Sequence, residues 1–98
     1  MAFRLTLSDR AVREIGEAYE WYEDQVAGLG DDFLSILDTQ FEIIAQSPKL
    51  YAETQRGVRR ALLSIFPYGV FYATKGDLVS VLGVVHTSRH PRRWPRRA

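Results

Sequence analysis

A histidine and several arginines in the second half of the chain have the chemistry to act on a phosphodiester. An unperturbed histidine titrates near neutrality, so His86 could carry a proton, while Arg60 and Arg89 could each hold phosphate oxygens through paired hydrogen bonds. Cleavage of RNA without a metal needs a base, an acid and cations around the phosphorus. If the protein cleaves RNA, His86, Arg60 and Arg89 are the candidate catalytic residues.

Each candidate also has a structural interpretation. His86 could be a strand-end histidine whose ring bonds a neighbouring carbonyl or carboxylate, and Arg60 could form a solvated ion pair with an acid on a helix. Arg59 and Arg60 are adjacent, so on a strand they point to opposite faces. Leu63 and Ile65 share the face of Arg59 and are predicted core residues, which favours Arg60 as the outward-facing arginine.

The charge of the chain is strongly divided along its length, although the net charge is only +1. Residues 1–55 carry four basic and eleven acidic side chains, whereas residues 56–98 carry nine basic and one acidic. A basic half of this kind attracts phosphates or acidic peptides without specifying which. The densest part of it is a run of tail arginines: Arg92, Arg93, Arg96 and Arg97.

The two tryptophans are candidate contact residues for a partner. Trp21 lies outside the apolar stripe of the first predicted helix, where a partner protein could cover it or the C-terminal tail could pack on it. Trp94 lies among the tail arginines. It could stack on a nucleic-acid base, but an anchor that pins the tail onto the helices is the favoured interpretation. With the four tail arginines, Trp21 and Trp94 form the predicted binding set for a target or partner.

Composition excludes several kinds of site. The chain has no cysteine, which removes disulfides, thiolate metal sites and a cysteine nucleophile. It has no Gly-rich phosphate loop and no cluster with metal-ligand spacing, so we expect no cofactor and no metal. Its apolar runs are far shorter than the ~20 residues of a membrane span and no secretion signal is visible, so we expect a cytoplasmic protein without membrane contact.

Length and periodicity predict one folded domain over residues 1–98. Residues 3–7 alternate between apolar and polar, as in a half-buried strand. Ser8 offers an N-cap for a first helix, and a loop over residues 27–32 separates it from a second helix that must end before Pro48. Their apolar stripes are Val12, Ile15, Tyr19, Tyr22 and Val26, then Phe33, Leu37, Phe41 and Ile44. Glu14 lies off the first stripe, where water can solvate it.

Three further strands are predicted over residues 58–66, 68–74 and 78–85, which are rich in β-branched and aromatic residues. The short turn at residues 75–77 makes the last two strands antiparallel neighbours. Residues 87–98 lose this periodicity and form a basic tail. The order is β-α-α-β-β-β, so the helices should pack as a hairpin against the sheet.

Four segments, together covering nearly the whole chain, follow the pattern of a known family. They are SDRAVREIGEAYEWYEDQ, IIAQSPKLYAET, GVRRALLSIFPYGVFY and VLGVVHTSRHPRRW, of which the last two are the most specific. The ending has the form His-x-x-Arg-x-Pro-x-x-Trp at His86, Arg89, Pro91 and Trp94. In these segments the chain resembles the RelE/ParE superfamily of toxins from type II toxin–antitoxin systems, especially its ParE-like branch.

The resemblance implies an α+β fold in which a helical hairpin packs on a small twisted antiparallel sheet. It also implies a toxin that arrests growth, is neutralised by a cognate antitoxin and forms a toxin–antitoxin hetero-oligomer. The expected function is a ParE-like toxin that binds and inhibits a target such as DNA gyrase. The alternatives are a RelE-like mRNA endonuclease that acts on the ribosome and a non-toxic binding module.

The chain departs from the RelE-type nucleases of this superfamily at one position. Those nucleases carry a tyrosine or histidine near the C-terminus, whereas the last tyrosine of this chain, Tyr72, lies inside a predicted strand. His86 or His90 would therefore have to carry the proton. His90 precedes a proline in the basic tail, where an exposed ring facing solvent is the simpler interpretation.

Overall fold

In the part of this protein that the structure describes, two helices pack against a five-stranded sheet. The computed structural model describes residues 3–88. The elements are β1 (Arg4–Leu7), α1 (Asp9–Gln25), α2 (Leu29–Gln46), β2 (Glu53–Gln55), β3 (Val58–Leu62), β4 (Tyr68–Lys75) and β5 (Leu78–His86). The predicted α+β class, with a helical hairpin on a small sheet, is confirmed. Neither helix in the described part of the chain is long and apolar enough to cross a membrane.

The sheet is mixed, with the strand order β1-β5-β4-β3-β2. Strands β2 to β5 pair antiparallel, but β1 lies parallel to β5, with Leu7 opposite Val81. The expectation of a wholly antiparallel sheet is therefore wrong at this edge. Parallel neighbours need a long crossover connection. Here the chain between β1 and β5 in the sequence comprises the helical hairpin and the other three strands.

The chain between β1 and β4 differs from the prediction in two places. The short strand β2 was not predicted, because its three residues are polar and carry no apolar alternation. Strand β3 ends at Leu62 rather than at Phe66, because the chain turns before β4. Ile65 adopts a left-handed backbone with φ of 73° and is 86% exposed, so its predicted core position is wrong, whereas Leu63 is buried as expected.

Helix α1 begins as predicted but presents a different face to the core. The Ser8 side chain accepts a hydrogen bond from the Ala11 N–H at 3.0 Å, which confirms the N-cap. The buried residues of α1 are Ala11, Ala18 and Tyr22, while Val12 and Val26 are exposed. Two alanines on the inner face let the helix backbone approach the sheet closely, so the stripe is rotated from the one predicted.

Helix α2 begins at Leu29, inside the stretch predicted as a loop. Glu23 accounts for the early start, because its carboxylate accepts N–H groups of the first turn of α2 and of Gly28 just before it. These hydrogen bonds, led by that of Gly28, hold the pKa of Glu23 below its ordinary value. The predicted stripe of α2 is confirmed at Phe33, Leu37 and Ile44, which are buried.

The core has a large part and a small part on opposite faces of the sheet. The large part lies between the helices and the sheet, where four aromatic rings contact one another: Tyr22, Phe33, Phe66 and Tyr68. The small part lies on the other face and consists of Val58, Phe71 and Val85, with Leu82 packed beside them. The sheet is therefore apolar on both faces, although only one face contacts the helices.

Candidate functional site

A groove with a volume of about 820 Å³ lies between α1 and the adjoining ends of β4 and β5. Its lining from α1 and from the sheet and its loops is Glu14, Glu17, Ala18, Trp21, Tyr22, Pro67, Tyr68, Val84, His86 and Ser88. The five helix residues follow the spacing i, i+3, i+4, i+7 and i+8, so they form one face of α1. This wall combines two carboxylates with two aromatic rings.

The groove exists because β1 is shorter than β5. Strand β1 pairs with β5 only as far as Val81, whereas β5 continues to His86. The last five residues of β5 therefore have no strand partner on that edge, and α1 lies beside them. Ser8 fixes the start of the helix there, because its hydroxyl also donates to the Leu82 carbonyl at 3.0 Å.

Glu14 ties α1 to the open edge of β5. Its Oε1 accepts the backbone N–H of Val84 at 2.9 Å, and its Oε2 lies 3.2 Å from the Arg10 Nε. The Glu14 side chain is only 12% exposed. The expectation that water solvates Glu14 is thus wrong, because an N–H left open by the short β1 needs an acceptor in the interior.

Trp21 forms the exposed rim of the groove on the helix side. Its ring is 5.2 Å from that of Tyr22 in an edge-to-face arrangement, and the residue as a whole is 58% exposed. Tyr22 is buried in the aromatic part of the core. The groove therefore has an aromatic surface that begins in the core and ends in solvent, which suits contact with an apolar or aromatic group.

His86 lies at the opposite wall, at the end of β5. Its ring stands edge-to-face on Tyr68 with 5.2 Å between centroids. Its Nδ1 is 2.7 Å from the Ser88 hydroxyl and accepts the Ser88 backbone N–H at 3.2 Å. In the neutral ring the proton therefore lies on Nε2. Within residues 3–88, the hydrogen-bond partner of the ring is Ser88 of its own loop and not the carbonyl or carboxylate considered from the sequence.

Arg60 lies on the other face of the sheet. In the strand register it is opposite Phe71 of β4, which is opposite Gly83 of β5, so two strand spacings separate Arg60 from β5. Its Cγ and Cδ lie against Gly69, on the face away from the helices, whereas the His86 ring faces the groove. The structure thus does not bring His86 and Arg60 together.

Arg59 points to the helix side of the sheet, as the strand alternation predicts. Its guanidinium donates to the Tyr51 carbonyl and lies 3.9 Å from the Glu53 carboxylate. The remaining predicted site residues lie outside the described residues: Arg89, Arg92, Arg93, Trp94, Arg96 and Arg97. Within residues 3–88, no three His, Asp or Glu side chains are grouped so that they could hold a metal ion.

Comparison with known proteins identifies the family. The family model for the ParE toxin of the type II toxin–antitoxin system parDE matches residues 5–91. The chain belongs to the ParE toxin family. No curated protein sequence matches it. Among solved structures, the fold is similar to a chromosomal ParDE TA system from P. aeruginosa, with a TM-score of 0.79 and 16% sequence identity over 89% of this chain and 98% of that chain.

In this ParE-family protein, sequence reasoning identified Trp21 and His86 but missed the other polar groove residues. Glu14 was expected to lie on a solvated helix face, and Glu17 was not singled out. The signal that could have found them is their helical spacing to Trp21, at seven and four residues, which places the three side chains on one face. The role of Glu14 toward Val84 had no local signal, because the two residues are 70 positions apart.

Proposed function

We propose that this ParE-family protein is the toxin of a type II toxin–antitoxin pair, that it arrests growth by binding DNA gyrase, and that a cognate antitoxin neutralises it in the cytoplasm. The observation that carries this proposal is the separation of His86 from Arg60. A phosphate group is a few ångströms across, so two side chains on opposite faces of a sheet cannot clamp the same one. This geometry supports target binding over RNA cleavage by these residues.

The binding character of the groove gives the second support. Trp21 presents a large exposed ring beside Tyr22, and amphipathic aromatic residues of this kind are enriched at protein interfaces. Ser88 lines the groove, and the arginines that follow it in the sequence supply positive charge that would attract an acidic segment of an antitoxin or a target. Trp21, Trp94 and the tail arginines are the contact residues we propose for these partners.

The similar structure supports an antitoxin partner as well, because it is that of a ParDE system. A toxin that is produced with its antitoxin would form a hetero-oligomer with it. In this arrangement the antitoxin would act by covering contact residues of the toxin, so the antitoxin and the target would compete for the same surface. Trp21→Ala should then weaken both the complex and the arrest.

The experiment is controlled induction of the chain in a bacterial host, with and without the neighbouring gene, while growth, DNA supercoiling and messenger integrity are recorded together. Arrest with a loss of negative supercoiling and intact messages, reversed by the neighbouring gene, is the expected result. A supercoiling assay with purified gyrase then tests the target directly. Messages cut at defined codons would replace the proposal with the endonuclease, and unchanged growth would leave a non-toxic binding module.

Two variants sharpen this test. His86→Ala should leave the arrest intact, because no proton transfer is involved, whereas an endonuclease using His86 would lose it. Trp21→Ala should reduce both the inhibition of gyrase and the affinity for the antitoxin. The matched control is Leu50→Ala, which removes an equally exposed apolar side chain outside the groove. Circular dichroism spectra that are unchanged in all three variants establish that folding is not the cause.

A further inference from the structure

We infer that this protein associates with a second copy of itself through the flank of α2 that faces away from α1. The surface consists of an apolar stripe along α2, the α2 seam (Leu29, Ile36 and Ile43), together with Ile65 beside it. A two-fold axis at Ile36 would relate the two copies, with their α2 helices antiparallel. The inference goes beyond the proposed function, because self-association and growth arrest are measured separately.

The α2 seam is a straight stripe because its residues are seven positions apart. Seven residues make nearly two turns of helix, so the three side chains point in the same direction to within about 40°. Gly30, which lies against Tyr19 of α1, is about 120° away from Ile36 around the helix. The α2 seam is therefore on a side of α2 that α1 does not cover. Leu29 and Ile36 are half-buried there, and Ile43 is exposed.

Ile65 has an unfavourable conformation next to this stripe. Branched side chains rarely occur at positive φ, yet Ile65 has a φ of 73° and is 86% exposed. Its backbone strain and its exposed apolar surface both disfavour the folded monomer. Strained residues of this kind persist where they serve a function, and an exposed aliphatic side chain is suited to binding. Ile65 thus has the properties of a contact residue.

A shallow groove next to Ile65 makes the surface complementary to itself. Its volume is about 260 Å³, and its lining is Leu29, Asp32, Ser35, Ile36, Ile65 and Phe66. A two-fold interface uses the same patch on both copies, so a protruding side chain and its receptor must be neighbours on one surface. With Ile36 on the axis, Ile43 of one copy faces Leu29 of the second copy. It therefore points towards the groove that Leu29 lines.

The acidic side chains of α2 do not oppose this pairing directly. Helix α2 carries no basic residue and four acidic ones: Asp31, Asp32, Asp38 and Glu42. Three of them lie at least about 120° from Ile36 around the helix, and Asp32 is at the level of the uncharged Gln40 of the second copy. The remaining repulsion between the helices is screened by salt, so self-association should strengthen as salt is added. A basic partner helix would instead bind less tightly.

The length of the α2 seam sets the expected strength of the dimer. Fourteen positions separate Leu29 from Ile43, a length of about 21 Å at 1.5 Å per residue. One pair of helices in contact over this length buries less than the ~1,200–2,000 Å² of a stable interface. We therefore expect a monomer–dimer equilibrium and not an obligate dimer.

Disulfide cross-linking tests the position of the axis, and it is possible because the chain has no native cysteine. The axes of packed helices are about 8–10 Å apart, which brings the Cα atoms of facing residues within the ~4.4–6.8 Å that a disulfide spans. Ile36→Cys should form a covalent dimer with itself in oxidised glutathione. Ile43→Cys should do so only when it is mixed with Leu29→Cys. Val12→Cys, at an exposed position on α1, is the control and should stay monomeric.

Substitution of Ile65 separates self-association from folding. Ile65→Gly relieves the left-handed backbone and removes the side chain, so the unfolding midpoint of the monomer should not fall. The dimer dissociation constant, measured by sedimentation equilibrium, should rise by about tenfold or more, because each copy loses a buried aliphatic side chain. Val12→Ala truncates an exposed apolar side chain on α1 and should leave this constant unchanged.

Several results would overturn the inference. One is a wild-type chain that stays monomeric at millimolar concentration, where even a weak dimer is populated. Another is cross-linking of Val12→Cys or of Ile43→Cys alone as readily as of Ile36→Cys. An unchanged dissociation constant in Ile65→Gly is a third. A monomeric wild type in which Ile43→Asp weakens the complex with the product of the neighbouring gene would assign the α2 seam to that partner instead.

Discussion

Replacing Glu14 tests whether a buried carboxylate holds α1 against the open edge of β5. Val84 is fully buried, and its N–H donates to Glu14 Oε1 at 2.9 Å. Glu14→Ala leaves this donor without an acceptor, which costs about 2 kcal/mol. For a domain of this size, that loss lowers the unfolding midpoint by roughly 10 °C. Glu14→Gln keeps a carbonyl oxygen in reach of the same N–H and should cost less than about 1 kcal/mol.

The comparison of the two Glu14 variants isolates the acceptor. Both remove the charge that faces Arg10 in an i,i+4 pair, which is worth about 0.4 kcal/mol, so this loss cancels in the difference. The assay is thermal unfolding by circular dichroism, with hydrogen exchange of the Val84 amide as the local readout. Glu17→Ala, a truncation of an exposed carboxylate in the same groove, is the control and should be nearly neutral. Equal midpoints for Glu14→Ala and Glu14→Gln would refute the reasoning.

Three further predictions concern residues outside the groove. The lowered pKa of Glu23 means that its stabilisation is present above its ordinary value of 4.5 and is lost as pH falls through the lowered pKa. Urea midpoints should therefore fall more in the wild type than in Glu23→Gln below about pH 5. Burial raises the pKa of Tyr72 to about 12, so the stability of the fold decreases as the pH rises from 10.0 through that value. Tyr72→Phe should remove this alkaline loss. At neutral pH it should cost about 1 kcal/mol, because the hydrogen bond from the Tyr72 hydroxyl to the Pro48 carbonyl is lost. Gly30→Ala places a methyl group 2.6 Å from the Glu23 side chain and should cost about 1–3 kcal/mol in denaturant titrations, whereas Gly16→Ala, with nothing within 4 Å, should not destabilise the protein.

Local signals were sufficient for most of the fold. The Ser8 cap, the end of α2 before Pro48 and the short turn between β4 and β5 each depend on the conformations of a few neighbouring residues, and all three are confirmed. Apolar periodicity also identified α2, β4 and β5. The resemblance to the ParE-like branch, carried by four segments of the chain, is confirmed by the family match over residues 5–91.

The errors occurred where packing overrides local preference. Two alanines, weak markers of a core, lie against the sheet in α1, whereas Val12 and Val26 are exposed. Ile65 has the composition of a strand residue but occupies a left-handed turn position. Strand β2 has no apolar pattern and exists because its backbone pairs with β3. In each case the conformation depends on neighbours that are distant in the sequence.

The candidate site divides in the same way. The sequence by itself determined which residue types were available: an acidic first helix with an outward-facing tryptophan, a histidine at the end of the last strand, and an arginine-rich ending. Only the tertiary structure decided which of them meet. The parallel pairing of β1 with β5 stops at Val81, so α1 and Glu14 complete the sheet edge and a groove opens between Trp21 and His86. Strand alternation had already favoured Arg60 as facing away from the helices, but only the tertiary structure places the His86 ring on the opposite face, because that depends on how β5 packs beside α1.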